Sequence, residues 1–289
     1  MDFLSPNREK RKAIKAYFAE KYSGVEINSI GKSILGEALE VYRLGAGQVN
    51  ILYVGTHHAS EHLTASLLYN FIDGYLSKKS AVFGVDTRLL ATIATIWVLP
   101  ILNPDGAELC IGGAYENPLM RRQIAMSGGG DFTHWQANAR GVDLNHNYDA
   151  GFTEYKEIEM RDGIFRGSGK YSGEYPESEP ETRAVANLVR TINPSLTVSL
   201  HTQGEEIYFS PRTARVQRLS ASLAADIGYR VAYPSGSAKY GGLCDYTGSL
   251  GIPSLTLELG LGKNPLPISH AEPIYSRVGG SLITLPTLL

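Results

Sequence analysis

Hydrophobic positions along the chain recur with two spacings, one typical of helices and one of strands. Residues 63–76, LTASLLYNFIDGYL, place Leu63, Leu67, Leu68 and Phe71 at helical spacing and predict a helix packed on a sheet. Helices are also predicted within residues 1–22, in PETRAVANLVRTI and RVQRLSASLAADIGY, and over residues 269–289. The apolar runs NILYVG, LATIATIWVLPILNP, PSLTVSLHT and GIPSLTLELG predict buried strands.

The order of these elements predicts the fold class. Residues 26–55 alternate short β-type runs with glycine-containing turns, which favours an antiparallel hairpin leading into the strand NILYVG. Residues 107–180 are rich in Gly, Asn, Tyr and charged side chains and predict a loop-heavy region, where function often lies. Helices alternating with buried strands indicate an α/β fold with a mixed, mostly parallel twisted sheet and helices on both faces. We expect residues 1–289 to form a single domain.

Composition and charge exclude several kinds of partner. The chain has 27 basic and 29 acidic residues mixed along its length, a net charge of -2, so it offers no basic face for nucleic acid or membrane. No apolar run reaches the ~20 residues of a membrane span, and the N-terminal helix lacks the apolar core of a secretory signal. We expect a cytoplasmic protein that binds a small ligand or peptide. The only cysteines, Cys110 and Cys244, are expected to be reduced thiols.

Histidines and glutamates stand at the predicted carboxyl ends of three strands, in THHASE, SLHT and TLELG. Ligands of α/β sheets bind beyond such ends. His58 and Glu61, three residues apart, can converge on one metal ion, and His201 can supply a third ligand from a distant strand. Three such ligands, with a fourth position open to water, are typical of a zinc hydrolase. Glu258 lies in apolar surroundings, and burial would raise its pKa as suits a general base.

The segment HASEH allows a second assignment, because it also fits an H-x-x-E-H pattern. In that assignment His58 and His62 would bind the metal and Glu61 would be the base. It leaves His201 and Glu258 without roles, so we rank it second. Each residue alone is more often an ordinary hydrogen-bonded or ion-paired group; the coincidence at three strand ends favours a metal site, with His57 and His62 as its neighbours.

The chain resembles the zinc carboxypeptidases, or funnelins, in an HxxE pair, a distant histidine at a strand end and a glutamate near the C-terminus. His58, Glu61, His201 and Glu258 match these positions. Supporting blocks are NPDG at 103–106, RGVDLNHNYDAGF at 140–152 and GIPSLTLELG at 251–260. The resemblance implies a zinc-peptidase catalytic domain with one zinc ion per chain, held by the ligand set of carboxypeptidase A, and Glu258 as the general base.

The substrate class follows from two further blocks. WQANARGVDLN and PESEPETRA look most like the family branch that hydrolyses γ-D-glutamyl-diaminopimelate bonds in bacterial cell-wall peptides. The resemblance therefore implies a muropeptide such as L-Ala-γ-D-Glu-diaminopimelate as the substrate. The alternatives are a carboxypeptidase or amide deacylase of the same fold, and a peptide-binding protein that contains zinc without catalysis. Glu258 speaks against the binding protein, which has no need of a base.

The resemblance also implies roles for three residues in the block RGVDLNHNYDAGF. Asp143 would accept a hydrogen bond from the non-ligating nitrogen of His58 and so orient that ring. Asn145 would bind a carboxylate or amide of the substrate. His146 stands where digestive carboxypeptidases have an arginine that clamps the terminal carboxylate, and an imidazole cannot reproduce that planar fork. The classical removal of C-terminal residues, which depends on that arginine clamp, is therefore not expected.

Gln136 departs from the family pattern, and the roles of Arg140 and Tyr240 are matched to it by fewer residues. Gln136 stands where related sequences carry a basic residue that polarises the scissile carbonyl, so it would be a neutral donor to the substrate. Arg140 is a candidate to supply the missing positive charge. Tyr240 is our choice, over Tyr246, for the mobile tyrosine of the family, which lies upstream of the catalytic glutamate.

Overall fold

The computed structural model of the protein describes residues 1–77, 83–112, 124–126 and 129–289. Within these ranges the strands are β1 (Glu26–Lys32), β2 (Ala38–Leu44), β3 (Val49–Gly55), β4 (Ala94–Leu99), β5 (Leu196–His201), β6 (Glu206–Ser210), β7 (Arg230–Val231) and β8 (Ser254–Glu258). The helices are α1 (Arg8–Lys21), α2 (Leu63–Leu76), α3 (Thr87–Ile93), α4 (Pro104–Gly112), α5 (Phe152–Asp162), α6 (Pro180–Ile192), α7 (Ala214–Ile227), α8 (Leu243–Ser249) and α9 (Ala271–Thr284). Short 3₁₀ helices cover Ala59–Glu61, Leu144–His146, Gly236–Lys239, Ile268–His270 and Leu285–Leu288.

All of these strands belong to one sheet with the order β1-β2-β4-β3-β5-β8-β6-β7. The four central strands β4, β3, β5 and β8 are parallel to one another. β2 joins β4 and β6 joins β8 in antiparallel pairs, and the hairpin β1–β2 is antiparallel as predicted. The mixed, mostly parallel sheet confirms the predicted fold class.

Alternate residues of the central strands pack into two different hydrophobic clusters, one on each face of the sheet. In β3, Ile51 and Tyr53 join the larger cluster with α1, α2, α7 and α9, while Leu52 and Val54 join the cluster with α6 and α8. Side chains of a strand point alternately to opposite faces, so a continuous apolar run such as ILYV, residues 51–54, is the pattern of a strand covered on both sides.

Three boundaries differ from the sequence-based expectation. The run LATIATIWVLPILNP is helical up to Ile93 and becomes β4 only at Ala94. The helical part belongs to α3, whose N-terminus is capped by Asp86, which accepts a hydrogen bond from Arg88 N, 2.9 Å away. The region 107–180 contains α5 and most of α4, and its residues 113–123 and 127–128 lie outside the described part of the chain. The last helix ends at Thr284 and continues only as a 3₁₀ turn that contains Pro286.

Two simpler expectations concern the cysteines and membrane spans. Cys110 and Cys244 are both free, as predicted. Among the helices of the described residues, none has the length and apolar content needed to cross a bilayer.

The C-terminal helix is fastened to the centre of the sheet by one buried hydrogen bond. Tyr53, which is fully buried on β3, donates its hydroxyl to the backbone oxygen of Leu282 at 2.6 Å. In an α-helix that oxygen would accept from the N–H four residues later, but residue 286 is a proline and has no N–H. The Tyr53 hydroxyl thus satisfies a carbonyl that the helix itself cannot.

Replacing Tyr53 by Phe should therefore lower the free energy of unfolding by about 1–3 kcal/mol, since a buried acceptor loses its donor. Chemical denaturation of the two proteins measures this difference. Tyr233→Phe is the matched control, because Tyr233 is exposed, and its effect should stay within about 0.5 kcal/mol. Equal unfolding midpoints and slopes for wild type and Tyr53→Phe would contradict the role given to this bond.

Candidate active site

The first two candidate ligands are brought together by the backbone that follows β3. His58 is extended, with φ -92° and ψ 133°, and the 3₁₀ turn Ala59–Glu61 then reverses the chain, so that Glu61 N donates to His58 O at 3.1 Å. This turn brings the two side chains together, with His58 Nδ1 2.9 Å from Glu61 Oε1. The spacing of three residues thus corresponds to one turn between a strand and the start of α2.

The third candidate ligand comes from the neighbouring strand. His201 is the last residue of β5, and its Nδ1 lies 2.9 Å from Glu61 Oε2. His58, Glu61 and His201 each offer a ligand atom, and these atoms all lie within 4.8 Å of one another. Glu61 and His201 are buried and His58 is partly buried. Of the His, Cys, Asp and Glu residues in the described ranges, these three form the group that could hold a metal ion.

The donor set fits zinc. His58 Nε2 lies 3.1 Å from Asp143 Oδ1, and a carboxylate can only accept, so Nε2 carries a hydrogen. Nδ1 of the same ring faces Oε1 of Glu61 at 2.9 Å, and such a contact needs a proton or a metal cation between the two atoms. Two imidazoles and one carboxylate are the ligands that a catalytic zinc ion prefers.

Charges around the site keep two of its carboxylates ionised. Burial alone would raise the pKa of Glu61, but the His58 and His201 imidazoles outweigh burial and lower this pKa to about 2. Burial also opposes ionisation of Asp143, yet His58, His146 and the N–H of Lys170 hold the pKa of Asp143 well below its usual range. Both groups are therefore negative at neutral pH, as a ligand and as the orienting partner of a ligand histidine should be.

Glu258 lies beside the ligand group on the next strand. It is the last residue of β8, and its Cα pairs directly with that of His201 across the sheet. Burial, together with the nearby carboxylate of Glu61, raises the pKa of Glu258 to about 7. The site therefore contains one carboxyl group that stays ionised and one that can exchange a proton near neutral pH, which is how acid and base roles are separated.

A pocket of about 150 Å³ opens beside this group. Its lining includes His58 and Glu258 and three further polar residues, Asn145, His146 and Asp245. Asp245 was not predicted from the sequence, although it lies five residues after Tyr240. Burial raises the pKa of Asp245 to about 7. A single aspartate after a glycine pair carries no distinguishing pattern, so only the fold identifies it.

His146 is held by two contacts. Its ring stacks on Tyr155, with centroids 4.0 Å apart, and its Nδ1 donates to the backbone oxygen of Tyr240 at 2.7 Å. Burial lowers the pKa of His146, so the ring is neutral at neutral pH. Asn145 Oδ1 accepts from Leu243 N at 3.3 Å, which fixes the amide at the start of α8.

The other predicted residues lie close to the site but are engaged elsewhere. The Arg140 guanidinium donates to Glu179 Oε2 at 2.9 Å and to Ser178 O at 3.1 Å. The backbone oxygen of Gln136 accepts from Ala59 N at 3.0 Å, so this residue supports the loop that carries His58. Their roles toward a substrate stay predictions, and that of Arg140 would require it to leave its ion pair.

The two tyrosines differ in their surroundings. The ring of Tyr240 lies against Gly151, where an added Cβ would come within 2.5 Å of it, and it is only partly buried. Tyr246 is 4% exposed, stacks on Tyr148 and accepts a hydrogen bond from Arg190 at 2.8 Å. Tyr246 is therefore a packing residue, and the choice of Tyr240 for the mobile tyrosine stays a prediction.

The neighbouring histidines are arranged differently from the ligand group. His57 is buried, stacks on His201 with centroids 5.1 Å apart, and has its Nε2 3.1 Å from the Tyr148 hydroxyl. His62 is 8% exposed, burial lowers its pKa to about 4, and it is absent from the group of described residues that could hold a metal. This arrangement favours the first assignment over the H-x-x-E-H alternative.

A group of two imidazoles and two carboxylates at the carboxyl edge of an α/β sheet is typical of a metal-dependent hydrolase. Comparison with known families agrees, because a model of the zinc carboxypeptidase family matches residues 12–274. The chain belongs to the zinc carboxypeptidase family, whose members are zinc-dependent metallopeptidases. This match confirms the predicted family, the predicted class of enzyme and zinc as the cofactor.

The individual relatives share 30% or less of their sequence with this chain over the aligned residues. Gamma-D-glutamyl-L-diamino acid endopeptidase 1 of Lysinibacillus sphaericus is 30% identical over 269 residues, which cover 90% of this chain and 66% of that protein. Carboxypeptidase B2 of Rattus norvegicus is 28% identical over 207 residues, which cover 66% of this chain and 45% of that protein. The chain thus spans less than two thirds of the length of either relative. Bovine thrombin-activatable fibrinolysis inhibitor shares the fold, with a TM-score of 0.72 at 22% identity over 96% of this chain and 95% of that one.

Substitution of single histidines by alanine tests whether His201 or His62 is a metal ligand. His201→Ala should weaken zinc binding by more than about 100-fold, because even a residue behind a ligand is worth about 10- to 100-fold in metal affinity. His62→Ala is the matched control and should bind zinc as wild type does. Equilibrium dialysis with metal analysis measures both. Loss of zinc in His62→Ala with full retention in His201→Ala would instead support the H-x-x-E-H assignment.

Proposed function

We propose that the protein is a zinc-dependent peptidase that hydrolyses the γ-D-glutamyl-diamino acid bond of cell-wall peptides. The observation that carries the peptidase activity is the position of Glu258, which pairs with His201 across adjacent strands and lines the same pocket as His58. The named activity of the Lysinibacillus sphaericus relative supports the choice of bond. We further propose that residues 1–289 act as one catalytic domain; its cytoplasmic location stays a prediction.

The residues of the pocket supply the acid–base chemistry of amide hydrolysis. Zinc held by His58, Glu61 and His201 would polarise the scissile carbonyl and lower the pKa of an attacking water towards about 7. Glu258 accepts a proton from the water as it attacks, and then donates that proton to the leaving amine. Burial raises the pKa of Glu258 above that of an exposed glutamate, which makes the carboxylate a better base for the first transfer.

Two residues that line the pocket, His146 and Asp245, favour a substrate whose side chain carries a positive charge. Neutral His146 offers no positive charge to a carboxylate, in contrast to the arginine fork that the digestive enzymes have there. Asp245 lines the same pocket, and its ionised form would pair with the second amino group of a diamino acid. Asn145 would contact a carboxylate or amide of the same residue. These contacts support a diamino acid on the leaving side of the bond.

Replacement of the base tests the catalytic role. Glu258→Gln should keep zinc and fold normally but lose at least about 100-fold in kcat, because the amide cannot accept the proton. The exposed Glu157→Gln on α5 is the control and should keep wild-type kcat. Steady-state turnover and metal content are measured on the same samples. Full turnover by zinc-loaded Glu258→Gln would remove Glu258 as the base.

The nature of the substrate is tested by product analysis. Zinc-loaded protein incubated with L-Ala-γ-D-Glu-diaminopimelate should release free diaminopimelate, detected by mass spectrometry, and a chelator should abolish the release. The matched peptide with alanine in third position should be cleaved more slowly, because it has no amino group for Asp245. An unbranched α-linked peptide that loses its C-terminal residue faster than either would instead point to a carboxypeptidase. Faster hydrolysis of an acylated amino acid than of the peptides would point to a deacylase. Binding of the peptide without any hydrolysis would point to a peptide-binding protein without catalysis.

A further inference from the structure

The Glu61 carboxylate is held from behind by a residue more than two hundred positions away. Asn264, in the loop after β8, donates its Nδ2 to Glu61 Oε1 at 3.2 Å. Glu61 Oε2 in turn accepts from the backbone N–H of Thr202 at 3.2 Å. Each oxygen of the carboxylate therefore has one donor besides the histidine it faces, and the plane of the carboxylate is fixed on both sides.

The amide of Asn264 is itself locked in one orientation. Its Nδ2 also donates to the backbone oxygen of Thr202 at 2.7 Å, and its Oδ1 accepts from the Thr202 hydroxyl at 2.7 Å. A backbone carbonyl can only accept, so Nδ2 must face it, and this contact settles which end of the amide points at Glu61. Asn264 cannot rotate without breaking all three of these bonds.

The loop that carries Asn264 is also held by a hydrogen bond from His134. The His134 ring donates from Nδ1 to the backbone oxygen of Asn264 at 2.6 Å. Two residues further along the chain, Gln136 O accepts from Ala59 N, next to His58. The loops that follow β3, β5 and β8 are thus connected by hydrogen bonds that all lead to the candidate ligands.

We propose that Asn264, oriented by Thr202, is a positioning residue that fixes the Glu61 carboxylate and thereby sets the zinc affinity of the site. This inference rests on the proposed ligand role of Glu61. A carboxylate that must first be oriented gives up conformational freedom when it binds a metal, whereas one already held by two donors does not. Asn264 touches neither the substrate pocket nor the reacting atoms in this arrangement, so it acts through Glu61 alone.

The test is a comparison of zinc dissociation constants for the full chain, measured by competition with a chromophoric chelator. Asn264→Ala should bind zinc about 10- to 100-fold more weakly than wild type. Thr202→Val keeps the backbone donor to Glu61 and the backbone acceptor of Asn264 Nδ2, but removes the hydroxyl that donates to Asn264 Oδ1, and should give a smaller loss. The double variant should resemble Asn264→Ala alone, because Thr202 acts on zinc affinity through the same amide.

Asn70→Ala is the matched control, because the only bond of the Asn70 amide among the described residues is to Ser66 O within α2. The zinc affinity of this variant should be that of wild type. A second readout is the visible spectrum of the cobalt-substituted protein, which should change in Asn264→Ala if the carboxylate has moved. Thermal unfolding of the metal-free proteins shows whether Asn264→Ala still folds. If it does not fold, the zinc dissociation constant of Thr202→Val tests the positioning role instead.

The outcomes are separable from those of the proposed function. Wild-type protein that binds zinc, with Asn264→Ala and Thr202→Val equal to it in affinity and cobalt spectrum, would overturn the positioning role and leave the peptidase intact. Wild-type protein that binds no zinc would overturn both. Additive losses in the double variant would overturn the part of the proposal that makes Thr202 act through Asn264.

Discussion

Three parallel strands, β3, β5 and β8, lie side by side and end at the same edge of the sheet, and the site depends on this alignment. Gly55 at the end of β3 pairs with Leu200, and His201 pairs with Glu258. A shift of one residue between β5 and β8 would turn Glu258 to the other face and separate it from the ligand group. The chemistry is therefore positioned by backbone hydrogen bonds and by the apolar residues that cover both faces of these strands.

Loops at this edge are buried, and their polar backbone groups are satisfied by one another. Asn103 donates its side-chain amide to His57 O at 3.1 Å and to Ala137 O at 3.0 Å, while Ser60 N donates to Trp135 O at 2.9 Å. Unpaired polar groups in such a place would be costly. The pairing holds the loop that bears His58 in a defined position, which a metal site requires.

The electrostatic surroundings give two glutamates of the site different pKa values. Glu61 and Glu258 are both largely buried carboxyl groups within one site, yet the pKa is lowered for one and raised for the other. The difference arises because Glu61 contacts both histidines directly, whereas Glu258 forms no ion pair with a cationic group in the described part of the chain and lies near the negative charge of Glu61. A ligand and a base are thus obtained from one residue type by their contacts alone.

The sequence by itself determined the class of fold, the strand–loop–helix setting of His58 and Glu61, and the four strand-end residues that the family also has. These features are local, since they depend on hydrophobic spacing and on residues one turn apart. The position of the α3–β4 boundary was not determined, because a short apolar run fits a helix or a strand equally well.

Only the tertiary structure decided which distant groups meet. It placed β8 beside β5, engaged Arg140 with Glu179, put Asp245 in the pocket wall and brought Asn264 to Glu61. Hydrogen bonds and ion pairs between segments far apart in the chain follow from the packing of the whole sheet and its loops, and no local pattern of residues specifies them.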